Sequence, residues 1–327
     1  MKILTLGFYD KFNFGDETYK DTFKSLFPLH EFTFVNQLNQ NLINSHDIVL
    51  LGGGNVLRNH YINELKKVEN KKIYAYSVGM EDNCTENLDL FSHIYARDYE
   101  TINNLKNRNV PCTFIPDAAM ILNGDPENGK KIIEKLFKQE SLELYSKIVV
   151  VVVNSYMAGL ANDCLARDAF NFLKFSYDLA KTIDETPASF IFVPFGINQP
   201  HDDRTTNAWV ASKCKFWKKN YVMFNQLHYQ EILDIISYSN LVISSRLHST
   251  IFSYVTGTPF IDITHHSKNE IFVNMINKNQ NSISYWTFDN NLLKNKIKEL
   301  LVLPKNKDFI EFQTIVKEKT NEIHFDR

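Results

Sequence analysis

Asn240-Leu241-Val242-Ile243-Ser244-Ser245-Arg246-Leu247-His248-Ser249-Thr250 reads as a short apolar strand that runs into a cation and an imidazole. A helix start follows and closes near Gly257-Thr258-Pro259. Glycine and proline at that spacing are ordinary helix-stop chemistry. In open α/β sheets, ligands bind where strand carboxyl ends meet helix amino ends. The free N–H groups and the helix dipole there favour anions. Arg246 adds a permanent fork-shaped donor. His248 adds a group that moves protons near neutral pH. Ser245 sits between strand and cation. The bland reading is a helix-start arginine and a core histidine. The position of both groups at a ligand edge favours a phosphate or carboxylate beside a proton donor.

Outward from this stretch, strands and helices alternate. Strands are expected over 2–8, 31–35, 47–51, 72–77, 93–96 and 112–115, with helices to about Phe27 and from Tyr99 to about Lys106. A second set begins at Ile148–Val153, which is strongly β-prone. It continues through 189–194, 221–224, the quoted stretch and 260–263. A helix near 166–185 places Phe170, Leu173, Phe175, Leu179 and Ile183 on or near one side. Helices are also expected near 128–140, 231–237, 294–301 and 310–319. Such alternation predicts parallel, doubly wound sheets. The expected organisation is two Rossmann-like domains, 1–145 and 146–303, with a helical tail over 304–327.

Composition narrows the function. The chain has 327 residues, 44% of them hydrophobic, with a formal net charge of -2. The balance of charge and the lack of a basic block argue against nucleic acid as the main partner. Cys84, Cys112, Cys164 and Cys214 lie far apart, so neither a zinc site nor a disulfide framework is indicated. The apolar start is too short for a signal peptide, and Ile148–Val153 is far shorter than a membrane span. A soluble, cytoplasmic protein with no metal is expected.

Further motifs gather at strand ends. Gly52-Gly53-Gly54 follows a strand and allows close backbone approach to a ligand, or simply a tight turn. Asn13-x-Gly15-Asp16-Glu17 follows the first strand and offers groups for substrate hydroxyls, or a cap that only builds the loop. Arg97-Asp98 and Pro116-Asp117 both follow strands. Arg97 is placed to meet an anion or to form a local ion pair. His201-Asp202-Asp203-Arg204 reads as a solvated loop more readily than as a cation site. Trp209 and Trp217 are suited to stacking on a sugar, although most tryptophans simply pack. Lys268, after His265-His266, stands at the same edge as Arg246 and would complete an anion site.

Taken in order, these pieces resemble the polysaccharide pyruvyl transferase family. The matching residues are Gly7, Asn13-x-Gly15-Asp16-Glu17, Asp47 with Gly52-Gly53-Gly54, Arg97-Asp98 with Leu105, Pro116-Asp117, Arg246-Leu247-His248, Gly257-x-Pro259 and Lys268. The likeness covers about residues 3–275. Ser77-Val78-Gly79-Met80 stands where the family often carries Gly-Pro, and no motif aligns over about 155–220. The resemblance implies two Rossmann-like domains facing a cleft, similar to the GT-B glycosyltransferases. It also implies transfer of a pyruvyl group from phosphoenolpyruvate onto two hydroxyls of a sugar, closing a cyclic ketal without a cofactor. His248 and Arg246 would be catalytic. Arg246, Lys268, Arg97 and Ser245 would bind the donor. Asn13, Gly15, Asp16, Glu17, Gly52, Gly53, Gly54 and Asp117 would shape the acceptor side. The acceptor implied is a sugar or a lipid-linked oligosaccharide, and the latter would bring weak association with a membrane surface. The alternatives on this scaffold are a glycosyltransferase using a nucleotide-sugar donor and an inactive glycan-binding protein.

Overall fold

Strand β1 (Lys2–Leu6) shows how the first sheet is built: Ile3 packs into one apolar cluster while Leu4 and Leu6 enter another. Side chains alternate across a strand, so a strand that feeds two clusters must be covered on both faces. A computed structural model describes residues 1–327 except 82–83, 159–165, 199–200, 226 and 327. Cys164 lies outside the described residues.

After β1 come α1 (Phe14–Leu26), β2 (Glu31–Val35), α2 (Gln40–Ser45), β3 (Ile48–Leu57), α3 (Asn59–Leu65), β4 (Ile73–Met80), β5 (Phe91–Ala96), α4 (Tyr99–Asn107) and β6 (Cys112–Phe114). The six strands pair in the order β2-β1-β3-β4-β5-β6, all parallel. The strand order reverses between β1 and β3.

The second set runs α5 (Pro126–Gln139), β7 (Ile148–Val152), α6 (Ala166–Glu185), β8 (Ser189–Phe192), a short antiparallel pair β9 (Ile197–Asn198) and β10 (His201–Asp202), α7 (Asp203–Ala211), β11 (Asn220–Val222), α8 (Tyr229–Tyr238), β12 (Leu241–Ser244), α9 (Leu247–Val255), β13 (Phe260–Thr264), α10 (Ser267–Met275), β14 (Ser282–Ser284) and α11 (Asn290–Leu300). The second sheet is also parallel, in the order β11-β8-β7-β12-β13-β14. That is the dinucleotide-fold order, with its reversal between β7 and β12.

The chain divides into one unit of Met1–Leu122 with Ile310–Arg327, and a second of Asn123–Phe309. The boundary expected at 145/146 therefore falls earlier, because α5 belongs to the second unit. Asp234 on α8 accepts from Asp125 N at 2.8 Å and from Asn128 Nδ2 at 2.7 Å. The segment read as a separate tail, 304–327, is divided too. Its helix α12 (Phe309–Asn321) returns to the first unit. There Lys319 Nζ donates to Phe114 O at 2.8 Å and Thr320 bonds the Tyr76 hydroxyl at 2.5 Å.

Two other expectations are corrected. Gly52–Gly54 do not follow β3 but lie within it, at a register shift against β4. On α6, Phe175, Leu179 and Ile183 are buried as expected, but Phe170 and Leu173 are exposed and Phe172 takes the core position.

Candidate active site

At the carboxyl edge of the second sheet, β12 ends at Ser244 and Arg246 caps the start of α9. Its guanidinium is held side-on by Asp203, with Nε to Oδ2 at 3.0 Å and Nη2 to Oδ1 at 2.6 Å. Nη1 makes no hydrogen bond among the described residues. Asp203 is fully buried, and its oxygens also accept from the backbone N–H of Ser155, Phe195 and Gly196 at 2.9 to 3.0 Å. A bidentate pair of this kind fixes the plane as well as the position of the cation. One carboxylate thus joins the loops after β7, β8 and β12, on both sides of the strand-order reversal.

The sequence reading missed Asp203. His201–Arg204 was expected to be a solvated loop, yet Asp202 caps α7 and holds Arg204 at 2.6 Å, while Asp203 turns inward. The local signal was present in an acid at the first turn of a helix. The partner stands 43 positions away, beyond the reach of local pattern.

Ser245, expected to bind the donor, is buried. Its hydroxyl accepts from Asn154 N at 2.7 Å and donates to Val152 O at 3.1 Å, which ties β12 to the end of β7. Asn154 reaches on with its amide to His265 Nε2 at 3.3 Å. The Arg246 guanidinium lies 5.9 Å from the Tyr156 ring, and Tyr156 meets His266 edge-on at 6.0 Å.

His248 and Lys268 sit in the first turns of α9 and α10, each half-buried. Asp262 on β13 steadies both turns by accepting from Thr250 Oγ1 at 3.1 Å and Asn269 Nδ2 at 2.7 Å. Burial raises the Asp262 carboxyl above its ordinary range, and the hydrogen bonds from Thr264, Asn269 and Thr250 oppose that rise.

The neighbouring imidazoles respond to this potential. Burial, then His266, Lys268 and Arg246 hold His265 well below its usual value. His266 is open on one side, yet burial and the charges of Lys268 and Arg246 push it down to about 4. At neutral pH both rings are therefore uncharged beside two cations. Among the described residues, no group of three His, Cys, Asp or Glu side chains is placed to hold a metal ion.

The first unit gathers its own set. Asn13 caps α1 through Gly15 N at 3.2 Å. Glu17 accepts from Asp10 N at 2.7 Å and pairs with Lys20 at 2.6 Å, which closes the loop after β1. Gly53 and Gly54 have φ of 67° and 90°. A Cβ on Gly53 would stand 2.1 Å from the Tyr19 ring, and one on Gly54 would stand 2.7 Å from Asp16 Oδ1. The chain's own side chains fill the space beside these glycines. Arg97 is buried and donates to Asp117 at 2.8 Å and to the Tyr19 hydroxyl at 3.1 Å. The ion-pair reading of Arg97 thus applies, with Asp117 as its partner. Asp117 also receives Tyr19 at 2.9 Å and Ala119 N at 2.9 Å. Arg97 belongs to the first unit, whereas Arg246, Ser245 and Lys268 belong to the second.

A model of the polysaccharide pyruvyl transferase family matches residues 3–267. The chain belongs to this family. As a member of the polysaccharide pyruvyl transferases, it also shares its fold with nucleotide-sugar enzymes of the GT-B class. UDP-GlcNAc 2-epimerase of Methanocaldococcus jannaschii, solved with UDP-GlcNAc and UDP, superposes with a TM-score of 0.61 at 12% identity over 98% of this chain and 100% of that one. The Neisseria meningitidis UDP-GlcNAc 2-epimerase gives 0.53 at 12% identity, covering 98% of each chain. A Rickettsia africae glycosyltransferase gives 0.57 at 13% identity over 98% of this chain and 92% of that one. At such identities the likeness shows the fold alone. No curated protein sequence matches significantly. Among the described residues, no helix is long and apolar enough to cross a membrane.

Proposed function

We propose that this pyruvyl transferase moves a pyruvyl group from phosphoenolpyruvate onto two hydroxyls of a sugar, forming a cyclic ketal and releasing phosphate. The observation that carries this reading is Arg246, locked by Asp203 at the strand-order reversal of the second sheet, with Lys268 acting on the same two imidazoles, His265 and His266. The donor carries a phosphate and a carboxylate, and both call for fixed cations and helix amino ends.

In the proposed course, C3 of the enol accepts a proton and becomes a methyl carbon, leaving C2 electrophilic. One sugar hydroxyl attacks C2 and gives up its proton. The C2–O bond to phosphate breaks, and phosphate departs with its electron pair. The second hydroxyl then attacks C2, loses its proton and closes the ring. One proton is gained at C3 and two are lost from hydroxyls, so the net proton leaves with phosphate. Arg246 and Lys268 hold the donor's anionic groups. His248, in the first turn of α9, is assigned the proton transfers.

Incubation with phosphoenolpyruvate in deuterated water, across a panel of glycans and lipid-linked sugars, tests the reading. The expected result is acceptor-dependent phosphate release and one deuterium in the product methyl. Release of a nucleoside diphosphate from nucleotide sugars, with phosphoenolpyruvate untouched, would replace it by glycosyl transfer.

A further inference from the structure

Helix α6 carries apolar residues on two sides, and the second unit uses only one of them. Phe172, Phe175, Leu179 and Ile183 enter the core. On the other side Phe170 is 67% exposed, Leu173 40% and Tyr177 59%. The spacing 170, 173, 177 and 181 keeps them on one stripe with exposed Lys181.

The stripe continues onto the next elements. Lys213 Nζ lies 3.8 Å from the Trp209 ring and 5.6 Å from the Tyr177 ring, which joins α6 to α7. Asp184, at the end of α6, accepts from Lys215 N at 2.9 Å and Phe216 N at 3.0 Å. That bond brings Phe216 and Trp217, 62% and 61% exposed, to the end of the same face. Exposed Lys215 and Lys218 flank them.

Most acids nearby are already engaged. Asp178 pairs with Lys174 at 2.9 Å, Asp184 with the two N–H groups, and Glu185 with Lys294 at 2.6 Å. Glu143 is one further acid close to Trp217. Among the described residues Lys213, Lys215 and Lys218 form no salt bridge, so the face combines protruding aromatic rings with lysines outside any ion pair.

We propose that this face docks on an anionic lipid bilayer. Tryptophan and tyrosine are favoured at the level of lipid headgroups, where an apolar ring meets a polar edge. Lysines beside them lay their alkyl stems along apolar surface and direct their charge to anionic headgroups. The face is made by α6, the Trp209 end of α7 and the chain after it, whereas Arg246 and His248 stand at the start of α9. Its occupancy is independent of which reaction the site performs.

Co-sedimentation with vesicles tests the proposal. Equal parts of phosphatidylcholine and phosphatidylglycerol are compared with phosphatidylcholine alone. The protein is expected to bind the anionic vesicles, less so as salt is raised. Lys215→Gln and Lys218→Gln should each weaken binding roughly five-fold. Phe216→Ser with Trp217→Ser should weaken it about ten-fold or more. Thermal melts confirm that each variant is folded. Quenching of tryptophan fluorescence by brominated lipid reads the same contact in the unaltered protein. Equal binding to both vesicle types, binding indifferent to all four substitutions, or no quenching would overturn the proposal. So would a dimer in solution that the Phe216 and Trp217 changes dissociate, since a second copy would then be the occupant.

Discussion

Asp203→Asn is the substitution that asks most of this structure. It keeps the shape of a fully buried side chain and removes its charge. One of the two oxygens becomes an N–H donor. If it replaces Oδ1, it faces Ser155 N and Arg246 Nη2; if it replaces Oδ2, it faces Phe195 N, Gly196 N and Arg246 Nε. In either orientation donors meet donors, and the guanidinium loses its counter-charge. Breaking a buried pair by removing one partner costs about 3–5 kcal/mol. In a unit the size of Asn123–Phe309, each kcal/mol lowers the melting temperature by about 2–4 °C. A fall of roughly 6–20 °C is therefore expected for that unit. The assay is calorimetry without ligand, followed by donor titration of the variant at a temperature where it remains folded. Donor affinity should also weaken, because the fork is no longer held in its plane. A melting temperature within about one degree of the parent would refute the reasoning, since that is below the effect of even 1 kcal/mol.

Further outcomes follow from other parts of the molecule. His248→Ala is expected to lower turnover about a hundred- to ten-thousand-fold with the fold retained, as loss of a positioned acid–base group does; unchanged turnover removes the histidine from the mechanism. Gly53→Ala places a methyl group against the Tyr19 ring at a positive φ, so the variant should lose most of the first unit's stability, read by circular dichroism. His266, with its folded value near 4 against about 6.5 unfolded, contributes stability above pH 6.5 that is lost as pH falls towards 4. The melting temperature of His266→Gln should consequently decline less over that window than that of the parent. An anionic donor beside the same ring favours its charged form, so phosphoenolpyruvate should raise the His266 titration midpoint seen by NMR; an unmoved midpoint places the donor elsewhere.

Much of the architecture was legible because period and composition agreed. Ile148–Val152 is apolar and β-branched at every position, which favours a short strand covered on both faces. The helix over Ala166–Glu185 was readable from its stripe, and Phe175, Leu179 and Ile183 lie on its buried side, whereas Phe170 and Leu173 do not. Apolar residues on two sides of one helix give pattern alone no means of choosing between them. Arg246 and His248 were legible since a strand end and a helix start announce themselves locally. Asp203, Asp262 and Asn154 were not, because each acts through partners on other loops and helices. The return of α12 to the first unit was equally hidden, as it depends on Lys319 and Thr320 meeting Phe114 and Tyr76 more than 200 positions away. The glycines of β3 were visible as glycines, but Tyr19 and Asp16, the groups that require them, lie on another element.

The central claim is that Arg246 and its surroundings receive phosphoenolpyruvate. Isothermal titration of phosphoenolpyruvate into the parent protein and into Arg246→Lys, both shown to be folded, tests it most directly. Clear binding to the parent and at least about ten-fold weaker binding to the variant is expected, because lysine cannot reproduce the fork. No binding to the parent, or equal affinity for both proteins, would contradict the account.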